Sequence, residues 1–104
     1  MTKHDFSPLY EQYPIIIKQM EDVFTSHEFI LELAQQNQTQ YIEALYAYRY
    51  NEDGEQPTPF MTVHGILAKK LKTFPDLIKI VRNDIPSKDI FRNSNVCAQW
   101  KKLE

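Results

Sequence analysis

Apolar residues recur along this chain with two different periods, and the switch between them organises the molecule. From Pro14 to about Phe24, Ile16, Met20 and Val23, with Ile17 and Phe24 beside them, fall at helical spacing. Ser7-Pro8 ahead of them can start a short helical turn. Thr25-Ser26-His27-Glu28 has capping-box form, a hydroxyl followed three residues on by a carboxylate. It opens a helix over 26–36 with Phe29, Ile30, Leu33 and Ala34 as its inward stripe. The polar run QQNQTQ interrupts that stripe, and a helix over 39–50 follows with Tyr41, Ala44, Leu45 and Tyr48 on one face. NEDGEQPTP, residues 51–59, reads as a loop. Thr58 is then the expected N-cap and Pro59 the first residue of a helix over 59–74. Val63, Ile66, Leu67, Leu71 and Phe74 share one face of it, and Pro75 ends it.

Beyond Pro75 the period becomes two. DLIKIVR sets Ile78 and Ile80 on one side, and VCAQWKK does the same for Val96, Ala98 and Trp100. The pattern predicts half-buried antiparallel strands joined through a Pro-Ser turn, a short DIF segment and the turn residues RNSN. Trp100 is expected to anchor a small core beneath this hairpin with its indole N–H at the rim. The fold class is α+β and mostly helical: one domain over 1–104, with 1–24 as an N-terminal helical extension and 25–103 as the core.

Composition narrows the function classes. The chain has 104 residues, of which 42% are hydrophobic and 25% charged, as in a soluble globular domain. No apolar run approaches the roughly 20 residues of a membrane-spanning helix. MTKHDFSPLYEQY lacks the apolar core of a secretion signal, so no membrane association and a cytoplasmic setting are expected. Cys97 is the single cysteine and cannot form an internal disulfide. His4, His27 and His64 lack zinc-ligand spacing, and the two glycines, Gly54 and Gly65, form no phosphate loop. No metal, no cofactor and no enzymatic activity are expected.

Net charge is −2, but it is unevenly spread. Residues 1–57 carry three Lys/Arg against ten acids, or −7, and residues 58–104 carry nine against four, or +5. Such asymmetry suits an acidic half and a half that faces a polyanion. With its apolar stripe turned inward, the helix over 59–74 presents Met61, Thr62, Gly65, Ala68, Lys69, Lys72 and Thr73, with His64 at the edge. Lysine and threonine can contact phosphates and base edges. An outward mid-helix glycine costs about 1 kcal/mol relative to alanine, and close approach of a ligand would account for it.

Helix, helix, basic helix, then hairpin resembles the winged helix-turn-helix family in element order over residues 25–103. The resemblance implies a DNA-binding regulator of transcription or of a mobile element. The helix over 59–74 would lie in the major groove, and a wing within 82–95 would touch the backbone. It implies DNA contacts from Thr62, His64, Gly65, Lys69, Lys72, Arg82, Lys88, Arg92, Asn93 and Lys101, with Asn95 and Lys102 nearby. The N-terminal helix would be a dimerisation element. Two features depart from the family pattern: QQNQTQ does not read as the short strand usual between its first two helices, and the loop before the third helix is long.

A different reading rests on tyrosine. Tyr46 and Tyr50 fall off the inward face of 39–50, and with Arg49 they form a candidate protein-contact patch of hot-spot residue types. The alternative function is therefore a protein-interaction module of the same fold, or an acidic nucleic-acid mimic acting as an inhibitor.

Overall fold

A computed structural model describes residues 4–50, 58–88, 90–92 and 94–103. Most of the expected loop at 51–59, with Gly54, and the candidate Asn93 lie outside the described residues. Among those described are five α-helices: α1 (Ser7–Tyr10), α2 (Tyr13–Gln19), α3 (Ser26–Gln36), α4 (Gln38–Ala47) and α5 (Pro59–Lys70). A 3-10 turn, Leu71–Thr73, continues α5. Strands β1 (Val23–Thr25), β2 (Ile78–Lys88) and β3 (Ser94–Lys102) form an antiparallel sheet in the order β1-β3-β2. The architecture is α+β, about half helical. No described helix is long and apolar enough to cross a membrane.

The first difference from expectation lies at 20–25. The helix read to Phe24 stops at Gln19, Met20 is extended, and Val23–Thr25 pair with Lys101, Trp100 and Gln99. Two of these three residues are β-branched, which suits a strand, and an available partner strand overrides the helical spacing. Phe24 is buried in this arrangement. Thr25 both ends β1 and caps α3. Its backbone N–H donates to Glu28 Oε1 at 2.8 Å, and Glu28 N–H donates to Thr25 Oγ1 at 3.1 Å.

Helix α3 is the hub, touching α2, α4, α5, β1 and β3. Its expected stripe of Phe29, Ile30, Leu33 and Ala34 is buried throughout. QQNQTQ is a helix junction: Asn37 leaves the helical region, and its Nδ2 donates to the Leu33 carbonyl at 3.1 Å, so α4 starts at Gln38. Helix α4 ends at Ala47, short of the expected 50, and Arg49 Nη1 closes the end by donating to the Tyr46 carbonyl at 2.8 Å.

Helix α5 begins at Pro59 as expected, but the Thr58 side chain makes no capping bond. Its regular part ends at Lys70, and the chain tightens before Pro75, with Thr73 Oγ1 donating to the Lys70 carbonyl at 2.7 Å. Proline disfavours helix at the preceding residue, so Phe74 leaves the helical region and the turn ends there. Across the core, the fully buried Tyr13 donates its hydroxyl to the Leu67 carbonyl at 2.7 Å and ties α2 to α5.

The hairpin departs from expectation in depth. Ile78 and Trp100 are buried, yet Ile80 and Val96 are 41% and 57% exposed because the strands outrun the helical layer. Trp100 itself is not at the rim. Its indole N–H is buried and donates to Ser26 Oγ at 2.9 Å, joining β3 to the first residue of α3. Replacing Ser26 with alanine leaves that N–H without its acceptor, at a cost of about 1–3 kcal/mol. The Ser26→Ala variant should show a lower urea midpoint at unchanged denaturant slope, and an unchanged midpoint would contradict this role.

Candidate functional site

The outward face of α5 and the groove side of β3 enclose a groove of about 280 Å³. The sequence determines the helix wall. Once Val63, Leu67 and Leu71 are buried, 3.6-residue periodicity turns Met61, Gly65, Ala68, Lys69 and Lys72 to the other side. Asn95, Val96, Cys97 and Ala98 make the strand wall, and Ile30, Ser26 and Trp100 lie at the base. Among the described residues nothing lies within 4 Å of where a Cβ at position 65 would stand, so no packing among them requires glycine there.

Four rings cluster at the start of α5, two of them, Phe60 and His64, lining the groove. Phe60 and Phe91 are 4.4 Å apart between centroids, and His64 stacks on Tyr41 at 5.8 Å and on Phe91 at 6.1 Å. The hairpin tip thus folds back over the start of α5. Register shifts between Ile80 and Arg82 and between Arg82 and Ile85 supply the bend, because bulges sharpen strand twist. Arg92, at φ 67°, takes a left-handed conformation in the connection between the strands. Beneath the rings, the Tyr41 hydroxyl and His64 Nε2 lie 2.6 Å apart.

The sequence-derived candidates separate into groups. Thr62, Gly65 and Lys69 share the exposed face of α5, Lys72 continues it on the 3-10 turn, and His64 is half-buried at its edge among the rings. Lys88 and Arg92 are exposed toward the hairpin tip. Arg82 and Lys101 are elsewhere. Lys101 opposes Lys79, and Arg82 opposes Gln99, so both lie on the sheet face opposite Trp100, away from the groove. Lys102 is committed internally, its Nζ donating to the Lys18 and Met20 carbonyls at the end of α2, at 3.1 and 2.9 Å. Lys70 is likewise occupied, 4.5 Å from the Tyr10 ring centroid. Lys69 of α5 and Lys72 of the 3-10 turn therefore face the groove, and Lys70 is turned to the core edge.

Sequence reasoning missed Phe60, Phe91 and Val96 as site residues. Their contribution depends on the hairpin tip meeting α5, and no spacing signal encodes that. The tyrosine patch does assemble: Tyr46 and Tyr50 are exposed, and the Arg49 guanidinium sits 3.7 Å and 4.8 Å from their ring centroids. Among the described residues no three His, Cys, Asp or Glu side chains gather as a metal site. Comparison with protein-family models, with curated proteins and with solved structures gives no match for this chain.

Burial raises the Tyr41 phenol from 10.0 to about 12. Tyr13 is raised further, chiefly by burial. Between those values the unfolded phenol is ionised while the folded one keeps its proton, so this group makes stability fall as pH rises from 10.0 to about 12. Wild type should lose stability more steeply than Tyr41→Phe over that range in urea titrations. Equal slopes would contradict the burial of this hydroxyl.

Proposed function

We infer that this chain is a DNA-binding domain of winged-helix type, with α5 as the reading helix and the β2–β3 hairpin as the wing. The observation that carries this reading is the exposed face of α5 and the 3-10 turn that continues it, where Thr62, Gly65, Lys69 and Lys72 stand together beside a hairpin bent toward them. Strand order supports it from another side. With α2 taken as the first helix, β1 becomes the short strand between first and second helices, and it pairs with β3 in the order β1-β3-β2. Helix α4 is then an addition ahead of the reading helix.

In this mechanism Lys69 and Lys72 neutralise phosphates, Thr62 donates to phosphate or base, and Gly65 lets the helix axis approach the groove. Lys88 and Arg92 contact the backbone from the hairpin. Arg82 and Lys101, on the far face of the sheet, take no part. Binding is positional, without bond chemistry, and its affinity comes from released counterions.

The patch of Tyr46, Arg49 and Tyr50 favours a second reading, a protein-interaction module. The guanidinium already stacks between two exposed rings, so little side-chain entropy remains to be lost on docking.

Fluorescence anisotropy of a labelled random-sequence duplex separates the two. DNA binding predicts a micromolar Kd at about 50 mM salt that weakens steeply by about 200 mM. Lys69→Glu with Lys72→Glu should abolish it while the circular dichroism spectrum stays unchanged. Gly65→Ala should stabilise the fold by about 1 kcal/mol and yet weaken binding, because the added methyl stands where the helix meets DNA. Absence of binding at the lower salt overturns the DNA reading. A partner pull-down weakened by Arg49→Ala and unaffected by the lysine changes would establish the second.

A further inference from the structure

We propose that the groove between α5 and β3 binds a small organic anion with an apolar body, a carboxylate of medium chain length. This goes beyond DNA binding and shares with it only Gly65, Lys69 and Lys72.

The groove is mostly apolar and carries its two lysines toward one end. At the start of α5 the wall is Phe60 and Met61, 45% and 69% exposed, with the edge of His64, and β3 contributes Asn95 and Val96. Toward the end of α5 the wall is Ala68, Lys69 and Lys72, facing Ala98 and Trp100. Four large apolar side chains on the surface at one place, counting Phe91 at the tip, are the kind of patch that marks a contact site. Two ammonium groups at the other end set the charge of what fits. An occupant with an apolar tail and one terminal carboxylate matches both ends, with the tail toward Met61 and the carboxylate between Lys69 and Lys72.

Size narrows the class. The groove has a volume of about 280 Å³. That is near the lower end of small-molecule sites and suits a compact acid better than a folded peptide element. Gly65 fits the same account: it lies on the groove wall with nothing among the described residues within 4 Å of where a Cβ would stand, and the helix carries the propensity cost of glycine there. Any side chain at position 65 would enter the ligand's space.

Trp100 is the only tryptophan and lies at the groove, so its fluorescence reports occupancy directly. The experiment titrates the full chain, without DNA, with sodium octanoate, 1-octanol and sodium acetate below their aggregation limits. Octanoate should shift and saturate the Trp100 emission, octanol should bind more weakly, and acetate should do nothing. Lys69→Met with Lys72→Met, both at exposed positions, should weaken octanoate about tenfold and leave octanol unchanged. Gly65→Leu should remove the response to both. No saturable response to octanoate overturns the proposal. So does an octanoate affinity equal to that of octanol and unmoved by the lysine changes, which would mark an apolar surface without anion selection. Because DNA is absent, failure of DNA binding leaves this result unaffected, and failure here leaves the DNA reading standing.

Discussion

The hydrogen bond from the Trp100 indole to Ser26 Oγ is the constraint on which the arrangement of helices and hairpin depends. Burying a tryptophan removes about 150–250 Å² from water, worth on the order of 4–6 kcal/mol, while its hydrogen bond contributes only about 1 kcal/mol net. Burial therefore holds β3 against the helices, and the hydrogen bond decides how. It fixes the indole against the first turn of α3, the helix that touches α2, α4, α5, β1 and β3. Opposite Trp100 in the sheet stands Phe24, also buried, so β1 is locked by the same contact. From this anchor the strands run outward and bend until Phe91 meets Phe60. The groove exists because the hairpin is fixed at its base and touches α5 again at its tip.

The placement of α5 follows from similar economy. Tyr13 reaches through the core to the Leu67 carbonyl, and Lys102 supplies cationic hydrogen bonds to the carbonyl end of α2, where the helix dipole favours positive charge. The basic character of residues 58–104 is thereby divided. Lys70 and Lys102 serve the fold, Lys79, Arg82 and Lys101 cover the back of the sheet, and Lys69 and Lys72 face the groove. A net charge of +5 over that half therefore does not make one basic surface.

What could be read in the sequence was what local periodicity encodes. The stripes of α3 and α5, the Thr25–Glu28 capping box, Pro59 at a helix start and the outward face bearing Gly65, Lys69 and Lys72 all follow from spacing and residue type. Long-range pairing did not show. Strand β1 is three residues whose partner lies at the far end of the chain, and Phe24 sits equally well in a helical stripe or a buried strand. Ser26 looked like part of a cap, since nothing local announces a tryptophan 74 positions away as its donor. The bend of the hairpin depends on register shifts at 80–85, which alternation does not encode, and alternation alone predicts Ile80 and Val96 on the buried side, where the structure leaves both exposed. Arg82 and Lys101 were accordingly grouped with α5, when strand parity sends them to the opposite face.

Hydrogen exchange of the Trp100 indole N–H, followed as its single side-chain resonance in an amide correlation spectrum, tests this account most directly. A buried N–H held by Ser26 exchanges only when the hairpin leaves the helices, so its protection should match that of the slowest α3 amides. Exchange at that global rate is the predicted result. Exchange within the time needed to record a first spectrum, with α3 amides still protected, would show a hairpin detached from the core and would contradict both the anchor and the groove built upon it.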